Sequence, residues 1–131
     1  MHITKENIHK FIEGTTMDCS NMDITYIEYI PETIIHLYCG DNRLTELPNI
    51  PHRLRYFDCN NNKLTSLPKL PHFLKRLDCN NNKLTSLPKL PDSLKRLYCD
   101  NNNLPYPITI ENLKEHNKLI KRKEILKRIC A

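Results

Sequence analysis

Apolar residues recur along this chain at fixed offsets with a period of 20 residues. Two consecutive blocks, CNNNKLTSLPKLPHFLKRLD at residues 59–78 and CNNNKLTSLPKLPDSLKRLY at residues 79–98, agree at 17 of 20 positions. The shared pattern is L-x-x-L-x-C-x-x-N-x-L-x-x-L-P-x-L-P, and further copies start at Ile34 and Leu94, with a degenerate one at Met17. Such self-similarity marks a repeat architecture in which each unit buries its apolar face against the next.

The leucine spacing predicts a leucine-rich-repeat solenoid, a right-handed superhelix of about four to five turns. Each repeat should supply one short strand with side chains such as Leu74, Leu77 and Cys79 directed inward, and the strands should stack into a parallel sheet on the concave face. Paired prolines such as Pro68 and Pro71 fix φ and disfavour helix before them. The convex side is therefore predicted to be extended or 3₁₀ backbone.

The whole chain, residues 1–131, is expected to form a single domain, with an N-terminal cap at 1–16, repeats at 17–104 and a C-terminal helical cap at 105–131. In the first segment, Ile8, Phe11 and Ile12 share one face at helical spacing. Thr4 is a candidate N-cap and Gly14 a candidate terminator. This predicts a short capping helix.

The repeat pattern stops after Leu104, where Pro105 and Pro107 interrupt it. Thr109 is then placed to cap a helix whose apolar residues do not keep one face. Ile110, Leu113 and Ile120 share a face, whereas Leu119, Leu126 and Ile129 lie well round from it. The first half should dock on the last repeat, and the second half is either a bent continuation or a surface for another contact, including weak self-association.

Two polar or reactive residue types also follow the repeat. Cysteines occupy an inward slot in every copy, which favours a column of buried free thiols over a disulfide or metal role. These are Cys19, Cys39, Cys59, Cys79 and Cys99. Asparagines three residues later should satisfy turn backbone groups through their amides. These are Asn42, Asn62, Asn82 and Asn102.

The net charge of +5 is unevenly distributed. Residues 1–110 hold 13 Lys and Arg against 12 Asp and Glu, whereas residues 111–131 hold seven against three. The chain has no apolar run long enough to span a bilayer, and its N-terminus lacks the apolar core of a secretory signal. Together with reduced cysteines, this predicts a soluble cytoplasmic protein that does not bind membranes.

The side chains that alternate with the core along each strand should form exposed columns. Tyrosine and arginine are enriched at protein-binding hot spots, so these columns predict a protein-binding face, with the partner unidentified. The alternative is a solvated sheet on which the arginines pair with neighbouring aspartates. The candidate partner-binding residues are His36, Tyr38, Tyr56, Asp58, Arg76, Asp78, Arg96 and Tyr98.

The basic C-terminal segment is a second candidate surface. Its cations could bind phosphates of a nucleic acid or an acidic protein, or could simply stabilise the end of the helix. They are Lys118, Lys121, Arg122, Lys123, Lys127 and Arg128. Nucleic-acid binding is the less favoured function of the two.

The sequence shows no pattern typical of an enzyme. Nucleophile and base residues at catalytic spacing are absent, as are the glycine-rich loops that bind phosphates. His52 and His72 recur at one repeat slot but have no carboxylates to complete a metal site. We therefore predict a protein without catalytic activity, metal or cofactor.

The L-x-C motif, the CNNNKLTSLPKLP wording and the Asn-, Ile- and Lys-rich composition resemble the short leucine-rich-repeat proteins of giant amoeba-infecting DNA viruses of the mimivirus type. The resemblance covers about residues 17–104. It implies a right-handed solenoid used for protein–protein contact, in virus–host interaction, in the host cytoplasm or the virion. The L-P-x-L-P rhythm is also similar to the repeat domain of bacterial effectors that carry a ubiquitin-ligase domain, but this chain has no such second domain, so ligase activity is not implied.

Overall fold

The computed structural model describes residues 1–130; Ala131, the last residue of the predicted C-terminal cap, lies outside them. Eight short strands and one long helix make up the regular structure, together with a 3₁₀ helix at Ile8–Phe11. In chain order they are β1 (His2–Ile3), β2 (Ile12–Glu13), β3 (Thr16–Asp18), β4 (Tyr26–Ile27), β5 (His36–Tyr38), β6 (Tyr56–Asp58), β7 (Arg76–Asp78), β8 (Arg96–Tyr98) and α1 (Leu113–Cys130).

Six of the strands form one sheet in the order β2-β3-β5-β6-β7-β8. From β3 onward the strands are parallel and pair with a shift of 20 residues, so that Tyr56 lies beside Arg76 and Arg76 beside Arg96. Successive parallel strands are joined by extended segments and turns. The predicted leucine-rich-repeat solenoid with extended return segments is confirmed.

The core is a stack of equivalent side chains, one layer per repeat. Leu54, Leu74 and Leu77 are fully buried, and Phe57 fills the leucine slot of its own repeat. The five repeat cysteines are free and buried, which confirms the thiol column. A free cysteine behaves as a small apolar side chain, so it can pack in the core without a polar partner.

The asparagine column forms the predicted ladder. At Asn62, Nδ2 donates to the carbonyl oxygens of Cys39 (3.0 Å), Cys59 (3.1 Å) and Asn60 (3.1 Å), and Oδ1 accepts from the amide of Leu44 at 2.9 Å. Each amide therefore joins its own repeat to the preceding one. The equivalent residues Asn42, Asn82 and Asn102 make the same kinds of contact.

The residue before each ladder asparagine has a left-handed backbone. Asn61 has φ 51° and Asn81 has φ 58°, a region that Asn and Asp enter more readily than other non-glycine residues. The three asparagines of the C-N-N-N motif thus differ in position: the first follows the strand, the second has the left-handed backbone and the third belongs to the ladder.

The N-terminal capping element contains less helix than predicted. Its only helical part is one 3₁₀ turn, and the carbonyl oxygen of Thr4, not its side chain, accepts from the amide of Ile8 at 2.9 Å. Ile12 and Glu13 instead pair antiparallel with β3, and Gly14, with φ 61°, lies in the turn. Pairing satisfies the backbone groups at the open edge of the sheet, which a further helical turn would leave exposed.

The C-terminal cap begins with a reciprocal capping pair. The Thr109 hydroxyl accepts from the Asn112 amide (3.3 Å), and Asn112 Oδ1 accepts from the Thr109 amide (2.8 Å). Leu113 is buried as predicted, but Ile110 is 37% exposed and does not share the docking. From residue 121 to residue 129 every side chain of α1 is exposed, so the second half is a continuous helix that the repeats do not cover.

Candidate functional site

The outward-pointing strand side chains form the surface that we call the sheet face. Its members are Thr16, Asp18, His36, Tyr38, Tyr56, Asp58, Arg76, Asp78, Arg96 and Tyr98. The strand register brings all eight predicted partner-binding residues onto this one surface. Tyr56 and Tyr98 are 38% and 39% exposed, whereas Asp78 is only 8% exposed.

Aromatic and cationic groups are in contact across neighbouring strands. The rings of His36 and Tyr56 stack with centroids 4.9 Å apart and an interplanar angle of 13°. The guanidinium carbon of Arg76 lies 5.5 Å from the centroid of the Tyr98 ring, within the range of a cation–π interaction. These contacts hold flat, half-exposed groups in place, which lowers the entropy cost of binding a partner.

The aspartates of the sheet face are held by the turns that follow them. Asp58 accepts from the Asn60 amide at 3.0 Å, and Asp78 accepts from the Asn80 amide at 3.2 Å. Asp78 also accepts from the Asn60 side chain at 3.2 Å. Burial raises the pKa of Asp58, and the neighbouring Asp78 carboxylate raises it further, against the lowering effect of the Asn60 amide.

Arginines of the sheet face make no ion pair with its aspartates in the described residues, although Arg76 interacts electrostatically with Asp58. The alternative of a solvated sheet stays a prediction. Within residues 1–130, ion pairs join Arg43 to Asp23 at 2.9 Å and Lys118 to Glu115 at 3.6 Å. Neither pair includes Arg76 or Arg96. Asp58 and Asp78 instead accept hydrogen bonds from backbone amides of the turns.

The predicted basic surface lies on a different element. Lys118, Lys121, Arg122, Lys123, Lys127 and Arg128 are all exposed along α1. Of these, Lys118 pairs with Glu115. The contacts that hold α1 in place are with the return segment of the last repeat. The basic surface of α1 and the sheet face are therefore separate surfaces.

Those contacts depend on polar residues that the sequence pattern did not single out. His116, 2% exposed, lies 3.0 Å through Nε2 from the Pro88 carbonyl oxygen and 2.8 Å through Nδ1 from the Tyr106 hydroxyl. Because a carbonyl oxygen only accepts, Nε2 carries the proton and Nδ1 accepts from the hydroxyl. The sequence signal that could have identified His116 was its spacing. It falls three residues after Leu113 and four before Ile120, which places the three side chains on the same face of the helix.

A groove of about 700 Å³ lies between α1 and the return segments, lined by Leu70, Leu90 and Ile120 together with Lys69 and Lys89. In the described part of the chain, no three His, Cys, Asp or Glu side chains are grouped to hold a metal ion. The single long helix found between residues 1 and 130 is too polar to cross a bilayer.

Comparison with known proteins supports the fold. The family described as leucine-rich repeats (2 copies) matches residues 32–72. The chain is similar to YopM from Yersinia enterocolitica WA-314, with 34% identity over 66% of this chain and a TM-score of 0.64. It covers only 19% of the length of that protein. No curated protein matches the sequence. Leucine-rich-repeat proteins in general are protein-interaction modules, since a stack of repeats offers an extended binding surface.

Proposed function

We propose that this protein is a non-enzymatic interaction module that binds a partner protein on the sheet face. The observation that carries the proposal is the pair of cross-strand contacts, His36 on Tyr56 and Arg76 on Tyr98. Both present exposed aromatic or cationic area from rigid strands. Tyrosine and arginine held in this way are the residue types that dominate binding energy at protein interfaces.

The state of the reactive side chains supports a role without catalysis. Burial raises the pKa of the Cys19 thiol to about 12 and the pKa of Cys59 well above its ordinary value. Nucleophilic chemistry requires the thiolate, which such burial suppresses. The sheet-face aspartates Asp58 and Asp78 accept hydrogen bonds from turn amides.

A cytoplasmic location and a role in virus–host contact extend the same proposal. Free buried thiols are typical of a reducing compartment. The viral setting rests on the resemblance of the C-N-N-N-K-L-T-S-L-P-K-L-P wording to proteins of giant viruses.

The test is affinity capture with the immobilised protein and a variant carrying Tyr56→Ala and Tyr98→Ala. A matched control, Tyr26→Ala with Phe73→Ala, removes two aromatic side chains of comparable or greater exposure (40% and 63%) that are not on the sheet face. Partners retained by the native protein and the control but lost by the sheet-face variant are the expected result. Retention of every partner by all three proteins contradicts the proposal.

The basic half of α1 is a second candidate surface, for phosphates or nucleic acid. The observation in its favour is that every side chain from residue 121 to residue 129 is exposed, including Lys121, Arg122, Lys127 and Arg128. Binding of RNA or DNA should then weaken steeply with salt and be lost when Lys121, Arg122 and Lys127 are changed to Gln. Salt-independent binding, or none, removes this function.

A further inference from the structure

We propose that the segment of the partner seated on the sheet face is an acidic peptide, bound by a cluster of cations at the N-terminal ends of the last three parallel strands. We call this cluster the basic edge; it consists of Arg55, Lys75, Arg76, Lys95 and Arg96. The proposal rests on the proposed function and specifies the chemistry of the partner.

The strand register concentrates positive charge at this edge. Arg76 lies beside Arg96 across β7 and β8. One residue earlier, the Lys75 amide donates to the Arg55 carbonyl and the Lys95 amide to the Lys75 carbonyl, both at 2.8 Å. Arg76 and Arg96 therefore lie on neighbouring strands about 4.8 Å apart, and Arg55, Lys75 and Lys95 lie immediately before the last three strands. Like charges opposite one another in a sheet repel, so a bound anion would stabilise this arrangement.

The basic edge makes no ion pair in the described chain, although Asp58 interacts electrostatically with Arg76. The ion pairs found within residues 1–130 lie elsewhere. Asp58 and Asp78, the acids on the same strands, accept hydrogen bonds from turn amides. The contact of Arg76 with Tyr98 is through the face of the ring, which leaves the N–H groups along the guanidinium edge free. Guanidinium edges are suited to bidentate binding of carboxylates.

The surroundings favour a peptide over a nucleic acid. The basic edge spans three strands, about 10 Å, and is bordered toward the strand ends by Asp58 and Asp78. A continuous polyphosphate would meet these carboxylates, whereas a peptide can place acidic side chains on the basic edge and apolar or aromatic ones against Tyr56 and Tyr98. Both tyrosines are exposed enough to receive such contacts.

The test is fluorescence anisotropy with a fluorescein-labelled peptide that alternates glutamate with leucine and tyrosine, and a twin with glutamine at every glutamate position. We expect the acidic peptide to bind and the twin to bind at least about tenfold more weakly, because charge-assisted hydrogen bonds are lost. Raising NaCl from about 50 to about 300 mM should weaken the acidic peptide further.

Three variants locate the binding and test its geometry. Arg76→Gln with Arg96→Gln should weaken the acidic peptide at least about tenfold, whereas Lys63→Gln with Lys83→Gln, the same loss of charge at exposed positions outside both candidate surfaces, should leave it unchanged. Arg76→Lys with Arg96→Lys should retain part of the affinity, since the charge remains but the bidentate geometry does not. Circular dichroism of each variant checks that the fold is intact.

Three results overturn the proposal. They are equal binding of both peptides, equal loss in the Lys63 and Lys83 variant, and an RNA oligonucleotide that binds more tightly than the peptide and is lost in the Arg76 and Arg96 variant. If the peptide fails to bind while Tyr56→Ala with Tyr98→Ala still abolishes partner capture, the acidic chemistry is wrong and the proposed function stands. If neither Tyr56→Ala with Tyr98→Ala nor Arg76→Gln with Arg96→Gln affects capture of the partner, the proposed function fails as well.

Discussion

The side-chain amide of Asn117 binds the backbone of Leu90 through both of its polar atoms. Oδ1 accepts from the Leu90 amide and Nδ2 donates to the Leu90 carbonyl oxygen, each at 2.8 Å. Leu90 belongs to the return segment of the last full repeat, where a following repeat would otherwise stack. One side chain of α1 thus satisfies both backbone groups of Leu90.

We predict that Asn117→Ala destabilises the protein by about 1–3 kcal/mol, because it leaves both backbone groups of buried Leu90 without their partners. Thermal unfolding measures the effect. Lys121→Ala, an exposed change on the same helix, is the control and should have an effect within about 0.5 kcal/mol. Equal melting temperatures for the two variants would show that the amide contact contributes nothing.

The ladder gives a second prediction. Asn62→Ala should lower the free energy of unfolding by roughly 2–4 kcal/mol, since it removes an acceptor from the buried Leu44 amide and a donor shared by three carbonyls. Denaturant titration measures the loss. The control is Asn61→Gly, which removes a neighbouring exposed side chain at φ 51° without strain and should cost less than about 1 kcal/mol. A larger loss at Asn61 would refute the ladder argument.

Asp58 gives a prediction about pH. Its pKa is raised in the folded state by burial and by Asp78, so the folded protein binds this proton more tightly than the unfolded chain. Ionised Asp58 therefore lowers stability at neutral pH, and this cost disappears as pH falls through the folded pKa. Asp58→Asn, which keeps an acceptor for the Asn60 amide, should melt higher than the native protein at pH 7.

The gain from Asp58→Asn should shrink toward zero as pH falls below the folded pKa, where native Asp58 is itself protonated. Asp92→Asn, an exposed change of the same charge, controls for net charge and should show no such gain. Melting curves across this range measure both. A gain that persists unchanged at low pH would mean that burial of charge is not the cause.

The buried cysteines should resist thiol reagents. With its pKa raised to about 12 by burial, Cys19 would be only about one part in ten thousand thiolate at pH 8, and the other repeat cysteines are also buried. In a Cys130→Ser background, a colourimetric thiol reagent should react slowly with the native protein. All five should react promptly in denaturant. Rapid reaction of two or more native thiols would contradict the buried column.

The sequence by itself determined the solenoid, because a strict period places equivalent residues in register. Leucine, cysteine and asparagine each have one task per repeat, and 20-residue spacing leaves one way to stack them. Spacing also brought Arg76, Arg96 and Tyr98 onto one face. It did not show which groups contact one another there, because arginine could reach either an aspartate or a tyrosine ring.

The tertiary structure decided what happens where the period ends. His116 and Asn117 dock α1 because they meet the backbone of Pro88 and Leu90, more than 25 residues away in sequence. Ile12 and Glu13 form an antiparallel strand because β3 offers an unpaired edge. Asp58 and Asp78 accept hydrogen bonds from turn amides, and Arg76 contacts the Tyr98 ring without forming an ion pair. Each outcome depends on which backbone groups remain unsatisfied once the repeats have stacked, and only the assembled fold determines that.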